Sequence, residues 1–114
     1  MAKEAALSTP DISDRLKSLP GWRYDSAMLR RTYQTDGWPT TLMLVNAIGY
    51  YAEAADHHPD LIVHWGSVDV ALSTHSAGGI TEKDFALAAQ IERAALWQAG
   101  PPFRPAAKFK RSGA

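Results

Sequence analysis

Glu53-Ala54-Ala55-Asp56-His57-His58-Pro59-Asp60 is the stretch on which the fold turns. Proline cannot continue a helix and biases the residue before it toward extended backbone, so a helical pattern entering from upstream has to stop here. His57 is expected in the last helical turn and His58 already outside it, with the two rings pointing in different directions. Glu53 stands four residues before His57, which predicts both on one helical face. Three carboxylates and two imidazoles around one proline make this the most chemically loaded segment of the chain.

Upstream of it, from Thr40 to Ala55, Leu42, Val45, Gly49 and Ala52 form one apolar stripe that Leu44, Ile48 and Tyr51 widen, as in a helix lying on a sheet. Gly49 inside that helix suggests a close approach by another element. Asp36-Gly-Trp-Pro39 reads as its entry, with Pro39 in the first turn. Further back, Trp22–Asp25 and Leu29–Thr35 alternate like two antiparallel strands joined at Asp25-Ser-Ala-Met28, with Leu29, Arg31 and Tyr33 on one face. Ile12, Leu16 and Leu19 predict a first helix over Asp11–Leu19, stopped by Pro20-Gly21. Residues 1–10 are expected to fray.

Downstream, Leu61-Ile-Val63 starts a third strand, Gly66-Ser67 turns, and Val68–Thr74 gives the cleanest strand. There Val68, Val70 and Leu72 face one way and Ser67, Asp69, Ala71, Ser73 and His75 the other. Thr81-Glu-Lys-Asp84 has capping-box spacing before a last helix over Glu82–Gln98, which buries Phe85, Ala88, Ala89, Ile91 and Ala95 and ends at Gly100-Pro-Pro102. The order α-β-β-α-β-β-α predicts an α+β domain over residues 1–99, a four-stranded antiparallel sheet with helices on one face. A Pro-rich basic tail follows at 100–114, bearing Arg104, Lys108, Lys110 and Arg111. So short a chain has little left to cover sheet edges, which points to a homodimer or homotetramer.

Twelve basic and twelve acidic side chains cancel, so no global field draws the chain to nucleic acid. No apolar run approaches the ~20 residues of a membrane span, and the first residues lack a secretory apolar stretch, so a cytoplasmic location is expected. Without cysteine there is no disulfide framework or thiolate chemistry.

Imidazole exchanges protons near neutrality, and His57, His58 and His75 sit around one loop-and-strand region with carboxylates beside them. A protonated and a neutral ring in one cleft would supply acid and base together. The competing reading makes His57 and His58 solvated residues at a helix end, Asp84 only a helix cap and Trp65 only core. Three histidines and a carboxylate could also hold zinc or iron. Adjacent histidines diverge, however, and neither HxxxH nor HxH occurs, so no metal is expected. No Gly-x-Ser-x-Gly elbow or phosphate loop is present.

Glu53-x3-His57-His58-Pro59, then Trp65, His75 and Asp84, together with Leu72-Ser-Thr-His75 and Gly79-Ile-Thr-Glu-Lys-Asp84, resembles the signature of the pterin-4a-carbinolamine dehydratases. The likeness covers roughly residues 10 to 95. It implies dehydration of a 4a-hydroxytetrahydropterin to quinonoid dihydropterin, with a small-molecule pterin as partner and no metal or cofactor. It further implies that His57, His58 and His75 form the acid–base set with Asp84 orienting or charge-stabilising a ring. Glu53, Asp56, Pro59, Trp65, Ser73 and Thr74 would shape or contact the pterin site. Leu61 stands where members of this family often carry an aromatic, and the basic tail extends past their usual end. The family also contains dimerisation cofactors and Rubisco assembly factors, so a catalytically silent module with a protein partner is the alternative.

Overall fold

The computed structural model describes residues 5–96; Gln98, the end of the expected last helix, and the tail 100–114 lie outside them. In chain order the elements are α1 (Thr9–Leu16), β1 (Arg23–Asp25), β2 (Met28–Gln34), α2 (Trp38–Ala55), β3 (Asp60–His64), β4 (Ser67–Leu72), a single 3-10 turn at His75–Ala77, and α3 (Glu82–Ala95). The sheet is antiparallel throughout, in the order β1-β2-β4-β3. The expected α+β architecture is what forms.

Alternation dictates which face is covered. Leu29 and Tyr33 of β2 stand opposite Leu72 and Val68 of β4, with Arg31 opposite Val70 between them. Those apolar residues join Ile12 of α1, Ile48 and Ala52 of α2, and Phe85, Ala88 and Ile91 of α3 in one buried cluster. All three helices therefore share one sheet face. Fully burying each such aliphatic side chain is worth about 1.5–3 kcal/mol. Arg30, Thr32, Asp69, Ile62 and Asp60 line a concavity on the opposite face.

Arg31 belongs among apolar neighbours because Glu92 of α3 meets it, at 3.2 Å from Nε. The same Glu92 carboxylate accepts from Trp22 Nε1 at 2.9 Å and the Tyr33 hydroxyl at 2.5 Å. One acid thus joins α3 to the sheet and to the loop before β1.

Several boundaries differ from the sequence reading. Helix α1 begins at Thr9, because Ser8 caps it by accepting from Asp11 N. Leu7 N bonds Ile80 O at 2.7 Å, so residues 7–10 are ordered where fraying was expected. Most of the stripe expected on α2 packs inward: Ile48 and Ala52 are buried beside Thr41, with Leu44, Val45 and Tyr51 packed against the core. Leu42 is exposed, and nothing lies within 4 Å of a Cβ added at Gly49. A helix apolar on nearly every side carries little phase information in its pattern, and so Leu42 and Gly49 join on paper a stripe whose other five members pack inward. Strand β4 stops at Leu72, and an isolated Thr74–Gly79 bridge closes the loop that carries His75.

Candidate active site at the end of α2

Helix α2 ends at Ala55 because Asp56 takes a left-handed conformation (φ 50) and caps it, its amide and that of His57 bonding Glu53 O and Ala52 O. His57 is therefore two residues past the helix, not in its last turn. The reversal decides the pairing. Glu53 Oε1 meets His58 Nε2 at 2.8 Å, and both side chains are exposed. His57 swings instead toward α3, where its Nε2 lies 2.6 Å from Asp84 Oδ1. The expected Glu53–His57 face does not form, since i and i+4 align only while the helix continues.

Asp84 is completely buried. Its Oδ2 accepts from the Thr74 hydroxyl at 2.7 Å and from Thr81 N at 2.9 Å. The Thr81 amide contact is half of the capping box that starts α3; in the other half, the Thr81 side chain accepts from Asp84 N, and its hydroxyl also accepts from Lys83 N. Capping and imidazole-orienting readings of Asp84 were alternatives on paper; its two oxygens serve both. A buried carboxylate needs this much donation to offset its lost hydration.

His57 is also a wall of a shallow cleft of about 430 Å³ between α2 and α3. Tyr51, Ala54, Ala55, Ala86 and Leu87 make the wall mainly apolar, and Lys83 and Gln90 add polar ends. The volume falls within the ~300–1,000 Å³ of small-molecule sites. These lining residues went unassigned in the sequence. The available signal was the pairing of small residues, Ala54 and Ala55 against Ala86, which leaves room between helices.

The other expected residues divide into two groups. Asp60 pairs with Ala71 on β4, so His58 and Pro59, just before β3, and Ser73, Thr74 and His75, just after β4, lie at one end of the sheet. His58, Pro59, Ser73, Thr74 and His75 thus gather at the same end of the sheet as Asp84. His75 is exposed on its 3-10 turn, and neither it nor His58 lines the cleft. Trp65 is elsewhere. Its indole lies 3.3 Å from where a Cβ on Gly37 would sit, and its carbonyl accepts from Thr41 at 2.9 Å, both at the start of α2. Eighteen residues at about 1.5 Å each put that some 27 Å from the helix end. Within one chain Trp65 is therefore not a wall for His57. The carboxylate of Asp56 is exposed beside the turn. Among the described residues no group of three or more His, Cys, Asp or Glu side chains is arranged to hold a metal ion.

Comparison with known proteins points to one family. The sequence profile of the family described as Pterin 4 alpha carbinolamine dehydratase matches residues 5–94. A protein of Roseiflexus castenholzii, provisionally named a pterin-4-alpha-carbinolamine dehydratase, is 44% identical over 88 residues, covering 77% of this chain and 95% of its own. A counterpart in Aquifex aeolicus with the same provisional name is 44% identical over 86 residues, 75% of this chain and 87% of its own. Among solved structures, a Brucella melitensis protein described as a transcriptional coactivator/pterin dehydratase superposes with TM-score 0.76 at 29% identity, covering 79% and 98% of the two chains. A pterin dehydratase-like protein described as a RuBisCO assembly factor in the alpha-carboxysome shares the fold at TM-score 0.59 and 21% identity, covering 68% and 93%.

Proposed function

We propose, from the premise that this chain belongs to the pterin 4 alpha carbinolamine dehydratase family, that it removes water from a 4a-hydroxytetrahydropterin by histidine acid–base catalysis. The reaction needs a proton taken from ring nitrogen N5 and another given to the 4a hydroxyl. The C4a–O bond then breaks, a C4a–N5 double bond forms, and water leaves. Two imidazoles in different states supply this without any further group.

The observation that carries the reading is the 2.6 Å His57–Asp84 contact at the wall of an apolar cleft. A ring held by a fully buried carboxylate is oriented in advance of the substrate, as an acid–base group must be. His58 and His75, exposed at the same end of the sheet, are the rings that exchange protons with solvent. A planar bicycle suits an apolar slot with a few polar ends such as Lys83 and Gln90.

Purified protein should accelerate quinonoid dihydropterin formation from a 4a-carbinolamine, followed by absorbance. His57→Ala and His75→Ala should each lower the rate by about 10²–10⁴, the range of general acid–base catalysis. A wild-type rate equal to that of buffer alone would sink the enzyme reading. A second reading is a silent module that engages a protein partner. The Brucella melitensis relative's description as a coactivator is in keeping with it.

A further inference from the structure

Thr74 lies among the residues expected to touch the pterin, yet it is 4% exposed and its hydroxyl is already committed. A threonine hydroxyl has one proton to give, and that of Thr74 goes to Asp84 Oδ2. The 2.8 Å contact between Thr74 and Thr81 must then run from Thr81 to Thr74. Thr81 Oγ1 in turn accepts from Lys83 N at 3.2 Å. Every donor in the chain Lys83 N, Thr81 Oγ1, Thr74 Oγ1 points toward one carboxylate, and donors aligned in series strengthen each other.

The far end of this relay is an imidazole. With Oδ2 occupied by Thr74 and the Thr81 amide, Asp84 presents Oδ1 to His57 as an acceptor. The facing atom, Nε2, must carry the proton, so Nδ1 of the neutral ring is the acceptor left for chemistry. No protein partner meets Nδ1 among the described residues.

We propose that Thr74, backed by Thr81, is a positioning residue: it fixes Asp84 and through it the tautomer of His57, and it does not touch substrate. The kinetic half of this rests on the dehydratase reading above; the tautomer half does not. The bridge that holds the Thr74 backbone uses Thr74 N to Gly79 O and Gly79 N to Thr74 O, so replacing the side chain leaves that anchor in place. Thr74→Val keeps the shape and removes the hydroxyl.

The experiment joins steady-state kinetics to nitrogen-15 spectra of the imidazoles in alkaline buffer, on wild type, Thr74→Val and Thr74→Ser. In wild type the His57 signals should show the proton on Nε2. Thr74→Val should shift them toward a mixture of tautomers and lower kcat about 10- to 100-fold, the cost of a misplaced catalytic group, with KM changed less than twofold. Thr74→Ser should restore both. A wild-type ring protonated on Nδ1, or Thr74→Val spectra identical to wild type, overturns the proposal even if no enzyme activity exists. An effect of Thr74→Val confined to KM also overturns it, by making Thr74 a substrate contact. If Thr74→Val does not fold, Thr74→Ala read by the same spectra takes its place, and a wild-type proton on Nδ1 still overturns the proposal. Absence of wild-type turnover with the expected tautomer and its loss in Thr74→Val would instead condemn the dehydratase reading alone.

Discussion

Glu92 shows how much one side chain can hold together. Burial alone would raise its carboxyl, but hydrogen bonds from Tyr33, Arg31 and Trp22 outweigh that and leave it below the ordinary carboxylate range. Tyr33 moves the other way, pushed well above the usual phenol range by burial and then by the adjacent Glu92 charge. Because the Glu92 value is depressed in the folded state, its contribution to stability is complete above the unfolded value near ~4.3. It is lost as pH falls through the folded value. Asp69, lowered chiefly by the Thr32 hydroxyl, adds to the same acid limb. Glu92→Gln should therefore cost about 1.5–3 kcal/mol at neutral pH, the worth of hydrogen bonds to a charged group. It should also flatten the decline of denaturation midpoint below the ordinary carboxylate range. An unchanged acid limb in urea titrations would place the acid sensitivity elsewhere. Nothing in the linear sequence links Glu92 to Trp22, seventy positions away in the hydrogen bond that joins them. Spacing alone also misassigned the partner of His57, because a two-residue helix reversal decided between Glu53 and Asp84; only the family likeness set Asp84 against a ring.

At the scale of elements, the pattern was informative wherever period and punctuation agreed. Strand β4 reads cleanly because its covered residues are all aliphatic, and the box at Thr81 fixes the start of α3. Helix α2 does not, being apolar on nearly every side. The β1–β2 connection is legible as a two-residue hairpin, but its residues disagree with its shape. Ser26 (φ 52) and Ala27 (φ 62) both adopt left-handed backbone, as a type I′ turn requires. Ala27→Gly should remove strain and stabilise the domain by about 1 kcal/mol. Changing both to Asn-Gly should gain more, read as a rise in Tm of about 4–8 °C per kcal/mol. Asp56 at the end of α2 has a related conformation, and Asp56→Gly should be neutral to stabilising in the same assay. A fall in Tm there would show that the aspartate side chain contributes something its backbone does not reveal.

For the molecule as a whole, the surface of α2 is the feature left over. Its eighteen residues include one charge, Glu53, while Met43 is 55% exposed and Tyr50 70%. Contiguous apolar patches of this kind mark contact surfaces. A second copy of the same chain is the occupant we expect. The patch carries almost no charge to oppose its own image, and Gly49 leaves open space at its side, both suited to a two-fold contact. Sedimentation should find a defined oligomer, and Met43→Glu with Tyr50→Lys should reduce it toward monomer without unfolding it. A wild-type monomer at high micromolar concentration would refute this. The neutral balance of the chain gives no long-range repulsion against such an encounter.

Asp84 is asked two questions by the fold at once, since one oxygen begins a helix and the other grips a ring. Selection on either duty preserves it for the other. A family member without any dehydratase activity would still be obliged to keep this acid for the sake of its last helix. Finding it in a distant relative therefore says little about turnover, whereas a lost histidine at the neighbouring position is the telling scar.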